Sequence, residues 1–202
     1  MEQPILFSHR SGQSIVDKDN TPVLLQGVGF GNDVWGNGEP PSAHHSEADY
    51  ARVKALNMNT IRFYINYKTF EDDTTPYVYK QSGWDWLDQN IAWAEKYDLS
   101  LILNMHVPQG GFQSMGSGDA LWTDIENQNR LVALWKAIAL RYKNESRIAG
   151  FGILNEPVPP HSISEWETLA RRIVSEIQSI DPHHLLFVEQ AIYVKRRCRA
   201  QC

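Results

Sequence analysis

The chain has 202 residues, of which 42% are hydrophobic and 21% are charged, and its formal net charge is −5. This composition is typical of a globular protein with one sizeable core, and it excludes collagen-like, coiled-coil and disordered chains. The acidic balance argues against nucleic acid or an anionic membrane surface as a partner. No apolar run reaches the roughly 18 residues that a membrane-spanning helix needs.

The two ends of the chain differ from its body. Residues 1–7 lack a basic segment followed by a long apolar stretch, so no secretory signal is predicted. Residues 195–202 hold four of the 19 basic residues, no acidic residue and both cysteines, Cys198 and Cys202. We therefore predict one domain over residues 1–194 and a basic tail that is non-native or disordered, with an interaction tail as the alternative. The cysteine pair has no further Cys or His nearby, and no metal site is predicted there.

Short apolar runs alternate with helical patterns along the body of the chain. The runs at residues 23–30, 60–65, 99–106, 148–154 and 184–189 predict five strands. An extended stretch that turns at residues 17–20 precedes the first. The helical patterns begin near Ser46 and at Trp84, and two later helices are predicted to start at capping boxes, Thr123 with Glu126 and Ser164 with Glu167.

Strands that alternate with helices predict a parallel sheet, either an open doubly wound sheet or a barrel. A barrel is favoured because no glycine-rich phosphate loop follows the first strand. Polar residues also recur at the strand ends, where a barrel carries its site: Arg62, His106, Asn155, Glu156 and Glu189. A complete eight-unit barrel takes about 250 residues. The fold class predicted is therefore α/β, a partial (β/α)8 barrel of five units preceded by a β-hairpin.

The sequence Asn155-Glu156-Pro157 closes the fourth apolar run. Proline ends the hydrogen bonding of the strand. Glu156 could be a rim carboxylate that pairs with a neighbouring arginine, or a general acid that protonates a glycosidic oxygen. An amide and a carboxylic acid at the mouth of a buried strand favour the catalytic interpretation. Glycoside hydrolysis usually takes two carboxyl groups, so the position of a second one matters.

Residues 152–157, Gly-Ile-Leu-Asn-Glu-Pro, resemble the fourth-strand signature of glycoside hydrolase family 5, the family of many cellulases and β-mannanases. Residues 22–28, 57–63 and 101–106 resemble the first three strands of that family, in the same order. The resemblance covers about residues 5–190. It implies a barrel enzyme that acts on a β-linked polysaccharide without cofactor or metal and is usually secreted.

The resemblance also implies roles for single residues. Glu156 would be the acid/base of a retaining hydrolysis of β-1,4-glucan, with β-mannan as the alternative substrate. Asn155 would donate to the sugar 2-hydroxyl. Arg62 would hold a nucleophilic carboxylate in its ionised form, and His106 would hydrogen-bond in the first sugar subsite. From the residues alone, the alternative for Arg62 is a surface salt-bridge residue, which an apolar strand disfavours because a buried Arg needs a partner. The alternative for His106 is a satisfied core histidine, which is the less favoured of its two interpretations.

The nucleophile of the family has no counterpart here, because the family carries it on the seventh strand. Glu189 ends the strand next to that of Glu156, which is the wrong geometry for two carboxyl groups about 5 Å apart across a scissile bond. It is predicted to be a rim or subsite residue. We therefore expect the chain alone to be weak or inactive, and its open barrel edges to favour self-association. A non-catalytic carbohydrate-binding half-barrel, or a fragment completed by another chain, are the alternatives.

Three aromatic residues in predicted loops, Trp35, Phe112 and Trp122, are candidates for stacking on sugar rings. Packing of the loops onto the barrel would explain them equally well. Four other tryptophans follow helical spacing and are predicted to lie in the core: Trp84, Trp93, Trp135 and Trp166. The histidine pairs at 44–45 and 183–184 lack a third ligand in sequence register and predict no metal site.

Overall fold

The computed structural model describes residues 7–17, 19–36, 45–114 and 117–192. The predicted tail at 195–202, with Cys198 and Cys202, and His44 lie outside the described residues. The strands are β1 (His9–Ser11), β2 (Ser14–Val16), β3 (Gly27–Phe30), β4 (Thr60–Asn66), β5 (Glu71–Asp72), β6 (Thr75–Tyr79), β7 (Ser100–Val107), β8 (Ile148–Gly152) and β9 (Leu185–Phe187). The helices are α1 (Glu47–Ala55), α2 (Gln81–Lys96), α3 (Ala120–Thr123), α4 (Ile125–Tyr142) and α5 (Ile163–Gln178), with a 3-10 turn at Tyr67–Thr69.

A single parallel sheet forms the centre of the fold. Its strand order is β3-β4-β7-β8-β9, and each neighbouring pair is parallel. Helices α1, α2, α4 and α5 connect successive strands of this sheet, as parallel pairing requires. The β1–β2 hairpin precedes the sheet. The predicted partial (β/α)8 barrel of five units, with its N-terminal hairpin, is confirmed.

Alternation along β4 and β7 separates the core from the site, because successive side chains of a strand point to opposite faces. On one face, Phe63 packs against Trp86 of α2. Trp135 of α4 packs in the same way against Phe151 of β8. The other face of β4 and β7 carries polar side chains. The fully buried members of the core face are Ile61, Phe63, Ile65, Leu101, Leu103 and Met105.

The predicted core positions of the helical tryptophans are confirmed. Trp84, Trp135 and Trp166 are buried, and Trp93 is partly buried against the same core. Trp135 is fully buried, and its indole N–H donates to the carbonyl of Ile153 at 2.9 Å. None of the helices in the described residues is both long enough and apolar enough to cross a membrane.

Both predicted capping boxes were wrong by one or two positions. The box at α5 is formed by Ser162 and Glu165, because the helix begins at Ile163, two residues before the predicted start. Asp124 caps α4 by accepting from the backbone of Glu126. Thr123 cannot serve there, because it ends α3 and its hydroxyl donates to the carbonyl of Asp119. In each case a neighbouring Ser or Asp with equal capping ability begins the helix.

The first strand and one hairpin also differ from the prediction. β3 begins at Gly27, four residues later than the apolar run, because Leu24 is 77% exposed and does not join the sheet. The antiparallel β5–β6 hairpin between β4 and α2 was not predicted. Its strands are short and mostly exposed, so they carry no alternating apolar pattern.

The N-terminal hairpin lies against the fifth strand of the sheet. Phe7 stacks on His183 with ring centroids 5.4 Å apart and meets His184 edge-on at 4.8 Å. A cavity of about 430 Å³ separates Ile15 and its neighbours from Leu185–Phe187. His184 is buried between the carboxylate of Asp181 and the carbonyl of Glu145, which makes it a satisfied core histidine.

Candidate active site

Arg62, on β4, contacts side chains that lie on β4 and β7 and directly after β8 and β9. Its Nη2 lies 2.8 Å from Oδ1 of Asn104 on β7 and 2.9 Å from Oδ1 of Asn155 after β8. The same nitrogen lies 2.5 Å from Oε1 of Glu189 after β9. Its Nη1 is 3.3 Å from the hydroxyl of Tyr64. Three of the residues predicted from sequence therefore meet at one guanidinium group.

Glu156 adopts an unusual backbone conformation beside this cluster. Its φ is +46°, in the left-handed region that non-glycine residues rarely enter. Its backbone N–H donates to Oε2 of Glu189 at 2.8 Å. Glu189 thus accepts from Arg62 with one carboxylate oxygen and from the acid/base candidate with the other. The side chain of Glu156 is partly exposed, as a group that meets a ligand must be.

Asn155 carries a buried hydrogen-bond donor, the Nδ2 of its side chain. The residue is 2% exposed, and its Oδ1 accepts from Arg62. Within the described part of the chain, Nδ2 has no hydrogen-bond partner. A buried donor in this state costs about 1–3 kcal/mol. An acceptor such as a sugar hydroxyl would satisfy it.

His106 is the extra residue of a bulge between β4 and β7. Ile65 pairs with Met105 and Asn66 with Val107, so His106 has no partner across the strands. Bulges of this kind re-aim a side chain next to a site. The imidazole stacks on Tyr64 with centroids 4.1 Å apart and planes 8° apart.

Burial lowers the pKa of His106 to about 4, and the positive charge of Arg62 adds to this effect. Glu156 opposes it by a smaller amount. His106 is only 6% exposed, so water screens these contributions little. The ring is therefore neutral at pH 7.

The depressed pKa of His106 predicts a loss of stability in mild acid. The unfolded chain binds the proton with a pKa near 6.5 and the folded chain with one near 4, so lowering the pH between these values favours unfolding. The full loss is about 3 kcal/mol. Urea unfolding at pH 7.0 and pH 4.5 measures most of this loss, since pH 4.5 still lies above the folded pKa, and His106→Gln should flatten the dependence. An unchanged pH dependence in that variant would assign the effect to other groups.

Trp35 lies next to His106 and is 63% exposed. The two rings meet edge-on with centroids 5.5 Å apart, and Phe112 contacts both. Trp35 and Phe112 line a cavity of about 690 Å³ together with Tyr67 and Val107. The loops after β3 and β7 therefore form an aromatic wall beside the polar cluster.

Trp122 lies elsewhere. Its indole N–H donates to Oε1 of Gln113 at 2.7 Å, and its ring is partly buried against the core. It borders a smaller cavity of about 280 Å³ near Ser164 and Glu165. The contacts of Trp122 are those of a residue that packs a loop, and its role in substrate binding stays a prediction.

Two residues of the cluster were missed from sequence, Asn104 and Tyr64. Asn104 is 1% exposed and contacts both Arg62 and His106. A polar residue inside the apolar run Leu-Ile-Leu-Asn-Met-His needs a buried partner, and that signal could have identified it. Gly152 on β8 makes room for it, since a Cβ there would lie 2.7 Å from Oδ1 of Asn104.

A buried ion pair supports the wall of the cavity. Glu71 is fully buried, and its Oε1 lies 3.0 Å from Nε of Arg130, which is 7% exposed. Glu71 also accepts from Gln109 at 2.8 Å and from the backbone of Tyr77 at 2.6 Å. These contacts fix the β5–β6 hairpin to α4.

Among the described residues, no group of three or more His, Cys, Asp or Glu side chains could hold a metal ion.

Known proteins resemble this chain along most of its length. The model of the cellulase family, described as glycosyl hydrolase family 5, matches residues 16–201. The chain belongs to this family. The resemblance to family 5 inferred from the strand signatures is therefore confirmed, and so is membership of the glycosidase class.

The relatives of this chain carry names that state different activities. Endoglucanase C of Acetivibrio thermocellus is 32% identical over 71% of this chain and 41% of its own length. A beta-xylosidase of Phanerodontia chrysosporium is 31% identical over 89% of this chain and 45% of its own. A mutant form of Thermotoga maritima Cel5A, crystallised with cellobiose, is 25% identical over 83% of this chain and 51% of that one, with a TM-score of 0.69. The chain spans less than half the length of these two curated relatives.

Proposed function

We propose that this family 5 chain carries the acid/base side of a retaining β-glycosidase site. Glu156 protonates the glycosidic oxygen as the bond breaks, and its carboxylate then takes a proton from the attacking water. The observation that carries this proposal is the unpartnered Nδ2 of Asn155, a buried donor on the residue next to Glu156. A sugar hydroxyl bound there places the glycosidic bond within reach of the acid.

We propose β-1,4-glucan as the substrate. The relatives named above include an endoglucanase and a Cel5A crystallised with cellobiose, which supports a glucan. The exposed ring of Trp35 beside His106 offers a stacking surface for a pyranose. A net charge of −5 suits a neutral polysaccharide better than an acidic one. A β-mannan differs only at the sugar 2-position and is the competing substrate.

We propose that the nucleophilic carboxylate is supplied from outside the described residues. Retention needs a carboxylate about 5 Å from the acid/base across the scissile bond. Both oxygens of Glu189 accept hydrogen bonds from the chain itself, one from Arg62 and one from the backbone of Glu156. Glu189 thus lies directly beside the acid/base residue and not across a scissile bond from it, so it does not have the position of a nucleophile.

The 202-residue chain alone should release no reducing sugar from carboxymethyl cellulose above the level of buffer, because Glu189 lies beside Glu156 and not across a scissile bond from it. Light scattering of the same sample should show oligomers. β3 and β9 are the edges of the sheet, and Leu24 and Val188 nearby are 77% and 51% exposed. A monodisperse monomer with ordinary turnover would contradict both expectations.

A carbohydrate-binding half-barrel is the second candidate, favoured by the exposed Trp35. Calorimetry with cellohexaose separates the two functions. Binding that survives Glu156→Gln, with no turnover even when the barrel is completed, would support the binding function alone. Turnover that depends on Glu156 would support the glycosidase.

A further inference from the structure

Asn104 joins Arg62 to His106 through the two ends of one amide group. Its Oδ1 lies 2.8 Å from Nη2 of Arg62, and its Nδ2 lies 3.2 Å from Nδ1 of His106. The side chain is 1% exposed, so water does not replace either contact. Polar groups buried this deeply keep the hydrogen bonds that the fold gives them.

The orientation of this amide follows from the chemistry of arginine. A guanidinium group only donates hydrogen bonds, so the Asn104 atom that faces Arg62 must be the carbonyl oxygen. The NH₂ group must then face His106. It can only donate, so Nδ1 of His106 must accept and cannot carry a proton. Rotating the amide by 180° would set its NH₂ group against the N–H groups of Arg62, a contact that has no acceptor.

We propose that Asn104 is a positioning residue that holds His106 in the Nε2–H tautomer, so that His106 meets a ligand only as a hydrogen-bond donor. In a neutral imidazole with Nδ1 unprotonated, the proton lies on Nε2. In the part of the chain that the structure describes, no protein group hydrogen-bonds Nε2. That N–H is therefore available to an acceptor oxygen.

The charged neighbours of His106 favour the neutral ring on which this tautomer depends. Arg62 repels a proton on the imidazole, and burial acts in the same direction. Glu156 is the opposing negative charge. Tyr64 and Phe112 cover the ring with centroids 4.1 and 5.4 Å away and carry no formal charge. At neutral pH the tautomer is thus decided by the hydrogen bond at Nδ1.

The consequence for the ligand rests on the proposed function. His106 and Asn155 both offer N–H donors beside Glu156, so the sugar must present acceptor oxygens to both. A hydroxyl that accepts from either donor keeps its own proton for another acceptor, such as a carboxylate. His106 cannot compete with Glu156 as a proton acceptor through Nε2.

Nitrogen NMR of the full chain, labelled with ¹⁵N-histidine, tests the tautomer directly at pH 7. We expect an unprotonated Nδ1 and a protonated Nε2 for His106. In Asn104→Asp, both carboxylate oxygens accept, so Nδ1 must now carry the proton. The signal of Nδ1 should become that of a protonated nitrogen, and the signal of Nε2 that of an unprotonated one. The pKa of His106 should rise by more than one unit, a factor of ten in proton affinity.

Asn144→Asp is the matched control. Asn144 is exposed in the turn between α4 and β8, so its substitution adds the same charge as Asn104→Asp without touching the site. It should leave both nitrogen signals in place. A protonated Nδ1 in the unaltered chain would overturn the proposal, as would an unchanged tautomer in folded Asn104→Asp. Should that variant not fold, the spectrum of the unaltered chain still decides.

The tautomer is measured independently of turnover. A chain that shows the expected tautomer but never hydrolyses a glycan would support the role of Asn104 and refute the proposed function. Hydrolysis that depends on Glu156, with a protonated Nδ1, would support the proposed function and refute the role of Asn104.

Discussion

Glu156→Gln should lower the hydrolysis of cellohexaose by about 10²–10⁴-fold, the usual contribution of a positioned general acid. The measurement is made on the chain reconstituted with the C-terminal part of a family 5 endoglucanase, which supplies the remaining strands. Glutamine keeps the shape of the side chain and the backbone N–H bonded to Glu189, but it has no proton to transfer. Initial rates with and without the substitution give the ratio.

The leaving group separates a lost acid from a damaged site. Dinitrophenol departs as a stable anion, so the first step on dinitrophenyl β-cellobioside needs little protonation, and Glu156→Gln should affect that step far less. Glu167→Gln, on an exposed position of α5, is the matched control and should leave both rates unchanged. An equal loss in the rate of the first step on both substrates would mean that Glu156 supports the structure of the site and does not act as an acid.

Arg130→Met should lower the free energy of unfolding by about 3–5 kcal/mol, because it leaves a buried carboxylate without its cation. Glu71 is fully buried and Arg130 is 7% exposed. Methionine fills a similar volume, so the loss reports the charge more than the packing. After the change, Glu71 retains only the N–H groups of Gln109 and Tyr77. Urea unfolding monitored by tryptophan fluorescence measures the difference.

Lys136→Met provides the comparison on the surface. Lys136 and Glu176 form a pair whose side chains are 55% and 42% exposed, and exposed pairs contribute about 1 kcal/mol or less. The double variant Glu71→Leu with Arg130→Met removes both charges and should recover much of the stability. If Arg130→Met costs no more than Lys136→Met, the buried pair of Glu71 and Arg130 stabilises the folded chain no more than an exposed pair does.

The strands and the main site residues could be predicted because each has a local signal. Buried parallel strands are apolar runs, and Arg62, Asn155 and Glu156 interrupt or close such runs. Their meeting at one end of the sheet then follows from parallel topology. The separation of the two faces of β4 follows from the two-residue period of a strand.

The remaining contacts depend on residues that are distant in sequence. Glu71 and Arg130 are 59 residues apart, and nothing near either one indicates the other. Glu189 was recognised as a rim acid, but its bond to the backbone of Glu156 depends on the left-handed turn at that residue. The cap of α5 is Ser162, two residues before the predicted Ser164. Both serines have the same capping ability, so tertiary packing decides which of them begins the helix.

The contact of Phe7 with His183 and His184 constrains the order in which the chain can fold. During synthesis Phe7 leaves the ribosome well before His183 and His184, so the surface that it covers is made only when the fifth strand emerges. Contacts between such distant parts of a chain form slowly, since a long loop must close first. Phe7 and the hairpin after it are therefore made before the central sheet but reach their final position only after β9 has formed.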